Sequence, residues 1–173
     1  GILLIHGMAE LAEVKKDPLF TKEVESIILK FKTGEIDGTK GNFISYYAGG
    51  TGAAYMNYKS MSPYLGKMVK QTAEKMMIEQ PRSSEGLMVW TQPEAVRAND
   101  KIFIDMAFAV TPYLLYAGLK NNNQEYIDYA VYMTLKLFEI LRDKSNGLLH
   151  QGRGFQGKGV ISQDNWSRGN GWG

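Results

Sequence analysis

The sequence contains no cysteine, which excludes a disulfide framework and any thiolate metal site. It has only two histidines, His6 and His150, too few for a His-rich metal centre. Charge of one sign is lacking as well: 20 basic and 18 acidic side chains are interspersed along the chain, and a net charge of +2 without a basic stripe argues against nucleic acid as a partner. Long apolar runs are scarce. The segment 102–119 comes closest, with Asp105 as its single charge, but it contains Pro112 and Gly118 and reads as a buried helix rather than a membrane span.

What is present is an ordinary globular composition. With 44% apolar and 22% charged residues the chain has enough to bury a core, and 173 residues correspond to a single domain, 1–173. Residue 1 is Gly and an apolar helical pattern starts at once with no cap before it, so the chain is expected to be a piece of a longer protein. Its beginning then carries no information about secretion.

Helical periodicity dominates. Leu4, Ile5, Met8 and Leu11 fall at helical spacing over 2–14, and Asp17-Pro18-Leu19-Phe20 restarts a helix with Asp as N-cap and Pro where its missing N–H costs nothing. Gly34 is its natural stop. The scheme recurs: a small-residue helix over 53–59 precedes Ser62-Pro63-Tyr64-Leu65, which opens a helix ending at Gln80-Pro81. It recurs again when an apolar helix over 100–119 precedes Asn122-Asn123-Gln124-Glu125, where Asn122 and Glu125 form the expected capping box of a helix reaching Arg142. In each pair the first helix is apolar nearly all round and the second is amphipathic, which predicts an all-α fold of helical hairpins in two shells. The second helices begin at Leu19, Tyr64 and Tyr126, a spacing uneven and far longer than the roughly 34 residues of tetratricopeptide arrays. Variable, glycine-rich connections instead favour a closed toroid whose loops build a site. Met68, Met76 and Met77 read as core.

Chemistry concentrates near the end of the chain, in Trp166-Ser167-Arg168-Gly169-Asn170-Gly171-Trp172. An indole face stacks on a pyranose ring and a guanidinium grips a carboxylate in two places, so this stretch suits a sugar acid. Asp105 sits among Phe103, Ile104, Met106 and Phe108; burial there would raise its pKa and keep a proton available for general-acid work. The structural alternative is a buried Asp satisfied by backbone donors or capping a helix. Gly152-Arg153-Gly154-Phe155-Gln156-Gly157 matches the dinucleotide fingerprint by letter, but no βαβ unit surrounds it and a hairpin loop is expected.

The order Gln80-Pro81-Arg82-Ser83-Ser84-Glu85-Gly86, Phe103-Ile104-Asp105, Gly147-Leu148-Leu149-His150 and Trp-x-Arg-Gly-Asn-Gly-Trp resembles the unsaturated glycuronyl and rhamnogalacturonyl hydrolases, glycoside hydrolase families 88 and 105, more nearly the latter. The resemblance covers the whole chain. It implies a toroid of six helical hairpins, of which this chain would hold about half, and an oligosaccharide substrate ending in a 4,5-unsaturated uronic acid such as pectin lyases leave. It implies that Asp105 protonates C4, that water adds at C5, and that no metal or organic cofactor takes part. Arg168, Trp172, Trp166, His150 and Trp90 would bind substrate, and the compartment would be cytoplasmic or periplasmic.

The sequence departs from the family pattern in three places. Phe103 stands where Trp is common, Leu149 where an aromatic is common, and Ser45-Tyr46-Tyr47-Ala48-Gly49-Gly50-Thr51-Gly52 carries no counterpart of a second family Asp. Tyr46 and Tyr47 are candidate hydrogen-bonding substitutes for that acid. Two rivals remain at this level. One is another enzyme on a helical toroid: an inverting glycosidase, needing a second carboxylate roughly 6.5–9.5 Å away, or an epimerase with a placed base. The other is a non-catalytic helical-repeat scaffold.

Overall fold

Asp17 does what its position before Pro18 predicts: its carboxylate accepts from the backbone N–H groups of Leu19 (2.9 Å) and Phe20 (3.3 Å), and the helix runs to Thr33, where Gly34 closes it at φ 80°. The computed structural model describes residues 1–38, 43–90, 99–165 and 167–172, the side chain of Trp172 excepted. In these residues the chain forms α1 (Ile2–Lys15), α2 (Pro18–Thr33), a 3-10 turn (Ile44–Ala48), α3 (Gly50–Tyr58), α4 (Leu65–Glu79), β1 (Ile102–Phe103), α5 (Met106–Ala109), α6 (Thr111–Asn121), α7 (Gln124–Leu141), β2 (Gly152–Arg153) and α8 (Ser167–Trp172). The fold is all-α apart from the small antiparallel β1–β2 ladder.

Three hairpins stand side by side, α1–α2, α3–α4 and α6–α7. The first helices form one layer, with α3 packed between α1 and α6, and α2, α4 and α7 each lie behind their own partners. Composition explains the middle position of α3. Its residues from Gly50 to Asn57 are all buried, and Gly52 leaves room for α1: a Cβ there would lie 3.0 Å from the backbone of Ile5 and His6. The amphipathic helices bury one stripe each, Val24 and Ile28 in α2, Met68, Val69, Ala73 and Met76 in α4, and Ala130, Met133, Leu137 and Leu141 in α7. Met68 and Met76 are core as expected, while Met77 is only half-buried against it.

Three boundaries differ from the sequence reading. Asn123, not Asn122, caps α7, accepting from Tyr126 N–H at 3.3 Å, and Asn122 takes the left-handed conformation that ends α6. Glu125 is therefore in the first turn rather than paired in a capping box. Helix α4 starts at Leu65, because the Ser62 hydroxyl, which also bonds Glu25, accepts from Tyr64 N–H and turns the chain before the helix begins.

The third difference matters most. The expected continuous helix over 100–119 is broken into β1, α5 and α6, with the break at Val110. Pro112 has no N–H to give the carbonyl of Phe108 and its ring crowds that carbonyl. The Thr51 hydroxyl takes over, donating to Phe108 O at 3.1 Å, while the buried Ser45 hydroxyl donates to Ala109 O at 2.5 Å. The acid-free stretch 45–52 thus holds α5 in place, and Asp105 heads a short helix at a loop instead of sitting in the middle of a long one.

Candidate active site

Asp105 precedes Met106 at the start of α5, and its side chain caps nothing. It occupies the N-cap position of α5 without making the capping bond, and its carboxyl accepts a hydrogen bond from its own backbone N–H. The carboxyl is half-buried, and burial raises its pKa above the ordinary aspartate value against a backbone hydrogen bond of its own and the positive charge of Arg168, which lower it. Burial first, and then the charge of Asp105, push the Tyr46 phenol up to about 12, so it keeps its proton through the physiological range. Of the two candidate tyrosines, Tyr46 is the one whose phenol the charge of Asp105 affects.

Arg168 reaches this point because of the residues after it. The Asn170 amide makes two bonds to the backbone of one residue, accepting from Leu149 N–H at 2.8 Å and donating to Leu149 O at 3.0 Å. Gly169 then passes so close that a Cβ would lie 3.2 Å from Ile104 Cγ2 and 3.9 Å from Gln151 Cα. The next link is Ile104 N–H, which donates to Gln151 O at 3.0 Å. Residues 104–105, 149–152 and 168–170 are consequently locked into one surface patch. Asn170 was not singled out in the sequence, although an amide between two glycines beside a guanidinium is the available signal.

The other expected binding residues fall as follows. Trp90 packs perpendicular to Phe103 (centroids 4.3 Å, 89°), and Phe103 meets Phe155 at 5.4 Å and Phe43 at 6.4 Å, so an aromatic wall stands two residues before the acid. The buried Gln80 fixes the base of this wall: its carbonyl accepts from Ile44 N–H at 3.2 Å and its amide donates to Val89 O. His150 is one residue from the carbonyl that binds Ile104, and its Nε2 lies 3.9 Å from Asp143 Oδ2. Its Nδ1 is buried with no hydrogen-bond partner among the described residues. Trp166 lies outside the described residues, as does the side chain of Trp172.

A second charged group lies in the neighbouring loop and went unread in the sequence. Arg153 forks onto Glu85 (2.5 and 2.9 Å) and also reaches Asp100 Oδ2 at 2.8 Å, while Asp100 accepts from Ser84 N–H at 2.8 Å. Hydrogen bonding to Arg153 is the main reason that the Glu85 carboxyl falls to about 2. Tyr129 and Tyr132 on α7 donate to the carbonyls of Gly86 and Glu85 at 2.6 and 2.5 Å, completing the attachment of this loop. The clasp ties 83–86 and 100 to β2, whose chain continues into a hairpin as expected: Gly154 N–H donates to Val160 O and Ser162 N–H to Gly152 O, each at 2.8 Å. Among the described residues no cluster of three or more His, Asp or Glu is suited to a metal ion, and no helix is long and apolar enough to cross a membrane.

Comparison with known proteins gives the same direction. Two solved structures share the fold, each with a title that names a possible member of the GH105 family: one from Salmonella enterica serovar Paratyphi A (TM-score 0.78, 22% identity) and one from Klebsiella pneumoniae (TM-score 0.73, 21% identity). Each alignment covers 97% of this chain and 43% of the other, so the chain spans less than half the length of the structures it matches. No curated protein matches at a significant level. Residues 2–173 match the family model described as Glycosyl Hydrolase Family 88, and the chain belongs to that family.

Proposed function

We propose that the protein hydrolyses oligosaccharides that begin with a 4,5-unsaturated uronic acid, using Asp105 as general acid. The observation that supports this reading is a half-buried aspartic acid at the start of α5 whose side chain makes no capping hydrogen bond, whose pKa burial raises, and which interacts through charge with Arg168 and Tyr46. In the reaction the Asp105 proton moves to C4 and positive charge develops at C5 and the ring oxygen. Water adds at C5 and its spare proton returns to the carboxylate, giving a hemiketal. The ring C5–O bond then breaks, C5 becomes a ketone, and the hemiacetal left at C1 releases the rest of the saccharide as an alcohol. One water is consumed for each sugar freed. Arg168 suits the uronate carboxylate, which it would hold in two places, and Trp90, His150, Trp166 and Trp172 complete the proposed binding set.

Two features support the wider architecture we infer, a ring of six hairpins. On α1, Leu3, Leu4, Leu11 and Val14 are exposed. Between α6 and α7 an apolar groove of about 340 Å³, lined by Pro112, Leu115, Val131, Leu135 and Phe138 among others, is open too. Further hairpins packed at both flanks would cover these surfaces. The test of function uses the full-length protein with an unsaturated rhamnogalacturonan disaccharide, following loss of the double-bond absorbance. Turnover by wild type and its collapse in Asp105→Asn are expected; unchanged turnover in Asp105→Asn would refute the assignment.

A further inference from the structure

The end of the bundle remote from Asp105 carries a cleft that the proposed reaction leaves unused. Asp105 belongs to the end where Ser45 and Thr51 hold α5, and α3, nine residues and so roughly 13 Å long, separates that end from the turn into α4. There the turn between α1 and α2 adjoins the turn between α3 and α4, and the cleft between them measures about 490 Å³, within the roughly 300–1,000 Å³ typical of small-ligand sites. Its apolar lining comes from Ala12, Pro18, Met61, Pro63 and Tyr64. The walls are held before any ligand arrives. Asp17 caps α2 and takes the Thr21 hydroxyl on its carbonyl at 2.8 Å, Met61 N–H donates to Met56 O at 2.9 Å, and the Ser62 hydroxyl ties the second turn to Glu25 on α2. Preorganisation of this kind lowers the ordering cost of binding.

Charge is used unevenly around this lining, which includes two acids, Glu13 and Glu25, and two lysines, Lys16 and Lys22. The acids are occupied. Glu13 accepts from the Tyr55 hydroxyl and pairs with Lys59 at 2.8 Å, and Glu25 accepts from the Ser62 hydroxyl. The lysines are not: both are exposed, and among the described residues neither makes an ion pair or a hydrogen bond. With Lys59 set against Glu13, one positive charge is left over beside an apolar surface. Tyr64 leaves 68% of itself in water at this surface, and its ring with the flat faces of Pro18 and Pro63 suits a planar partner. The Met61 thioether adds a favourable contact for a ring edge. A saccharide matches poorly, because the Thr21 hydroxyl and both carboxylates already have partners. An aromatic ring joined to an anionic group matches both the apolar lining and the unpaired ammonium groups.

We infer that this cleft is a second binding site, for an aromatic carboxylate, with Tyr64, Pro18 and Pro63 against the ring and Lys16 and Lys22 at the carboxylate. The inference stands apart from the function proposed above, and its test needs no turnover. In a fluorine NMR titration of the full-length protein at low salt, the signal of 4-(trifluoromethyl)benzoate shifts and broadens on binding to wild type. Affinity falls about fivefold in the double variant Lys16→Gln/Lys22→Gln, the size expected for two exposed ion pairs, and falls by a similar factor in Tyr64→Ser. All three positions are exposed, and circular dichroism checks that both variants fold. The uncharged 4-(trifluoromethyl)benzamide binds wild type about fivefold more weakly than the acid. Arg168→Met, which removes the cation proposed to hold a uronate, leaves the affinity of the acid unchanged. Absence of binding to wild type, an affinity undiminished in either cleft variant, an amide that binds as tightly as the acid, or weakened binding in Arg168→Met would overturn the site.

Discussion

Asp105 and Glu85 are carboxyl groups on adjoining loops, and their surroundings drive them in opposite directions. Glu85 has a guanidinium forked onto it and ionises at about 2, whereas Asp105 is desolvated with only a partial opposing pull from Arg168 and holds its proton longer than an ordinary aspartate. The difference lies in how each arginine is used. Arg153 is only 12% exposed in its side chain and is consumed by Glu85 and Asp100, so that group is a structural fastener. Arg168 is exposed on α8 and its positive charge lowers the pKa of Asp105; under the proposed function it would also receive the substrate carboxylate. Proximity of acid and base in a loop says little about role until burial and bonding geometry are known.

Exchanging the two environments should break the contrast. The largest effect is expected from Asp105→Asn, with turnover of an unsaturated disaccharide falling by about 10² to 10⁴, the usual contribution of a positioned general acid; a loss under tenfold would place the acid elsewhere. Next comes Arg153→Met, which leaves two partly buried carboxylates facing each other and is expected to lower unfolding stability by about 3 kcal/mol in urea titration. If stability is unchanged, the clasp is not the fastener described. Thr51→Val should cost less, about 1–2 kcal/mol, by leaving the Phe108 carbonyl without a donor, and should also reduce turnover because α5 carries Asp105.

The pH dependences sharpen the same comparison with the smallest signals. Glu85 has a folded pKa below its unfolded one, so its stabilisation is present above the ordinary carboxylate range and is lost as pH falls from about 4.5 towards about 2. Asp105 has a folded pKa above its unfolded one, so its cost to stability appears as pH rises through the ordinary aspartate value and is complete above the raised one. Asp105→Asn is accordingly expected to raise the melting temperature at neutral pH while abolishing turnover, and Glu85→Gln to lower it. A fall in melting temperature for Asp105→Asn would mean that the carboxylate is stabilising rather than strained.

Much of the fold could be read from periodicity and caps because those signals are local. Asp17-Pro18 and Gly34 delimit α2 through bonds spanning three or four residues, and the contrast between apolar and amphipathic helices correctly assigns the front and rear layers. The break at Val110 escaped because its resolution is distant: Pro112 frees a carbonyl, and Thr51, more than fifty residues earlier, satisfies it. The same distance hid the use of Ser45-Gly52, which looks empty beside a pattern that calls for an acid and in fact braces the segment bearing Asp105. At the candidate site, Asp105 and Arg168 stood out in the sequence through their unusual neighbours. Arg153 was hidden inside a glycine pattern that suggested only a turn, and its partners Glu85 and Asp100 lie in separate loops with no spacing that connects them.

The paired amide bonds from Asn170 to Leu149 give the terminal heptapeptide a dependence on chain far from it. The guanidinium two residues earlier is positioned by a residue, Leu149, that the heptapeptide does not contain, so transplanting those seven residues onto another helical framework would carry the charge across without its bearing. A host would have to present an extended strand offering one N–H and one C=O side by side at the landing point, and an Asn170→Ala protein would keep Arg168 and Asp105 while losing the means to align them.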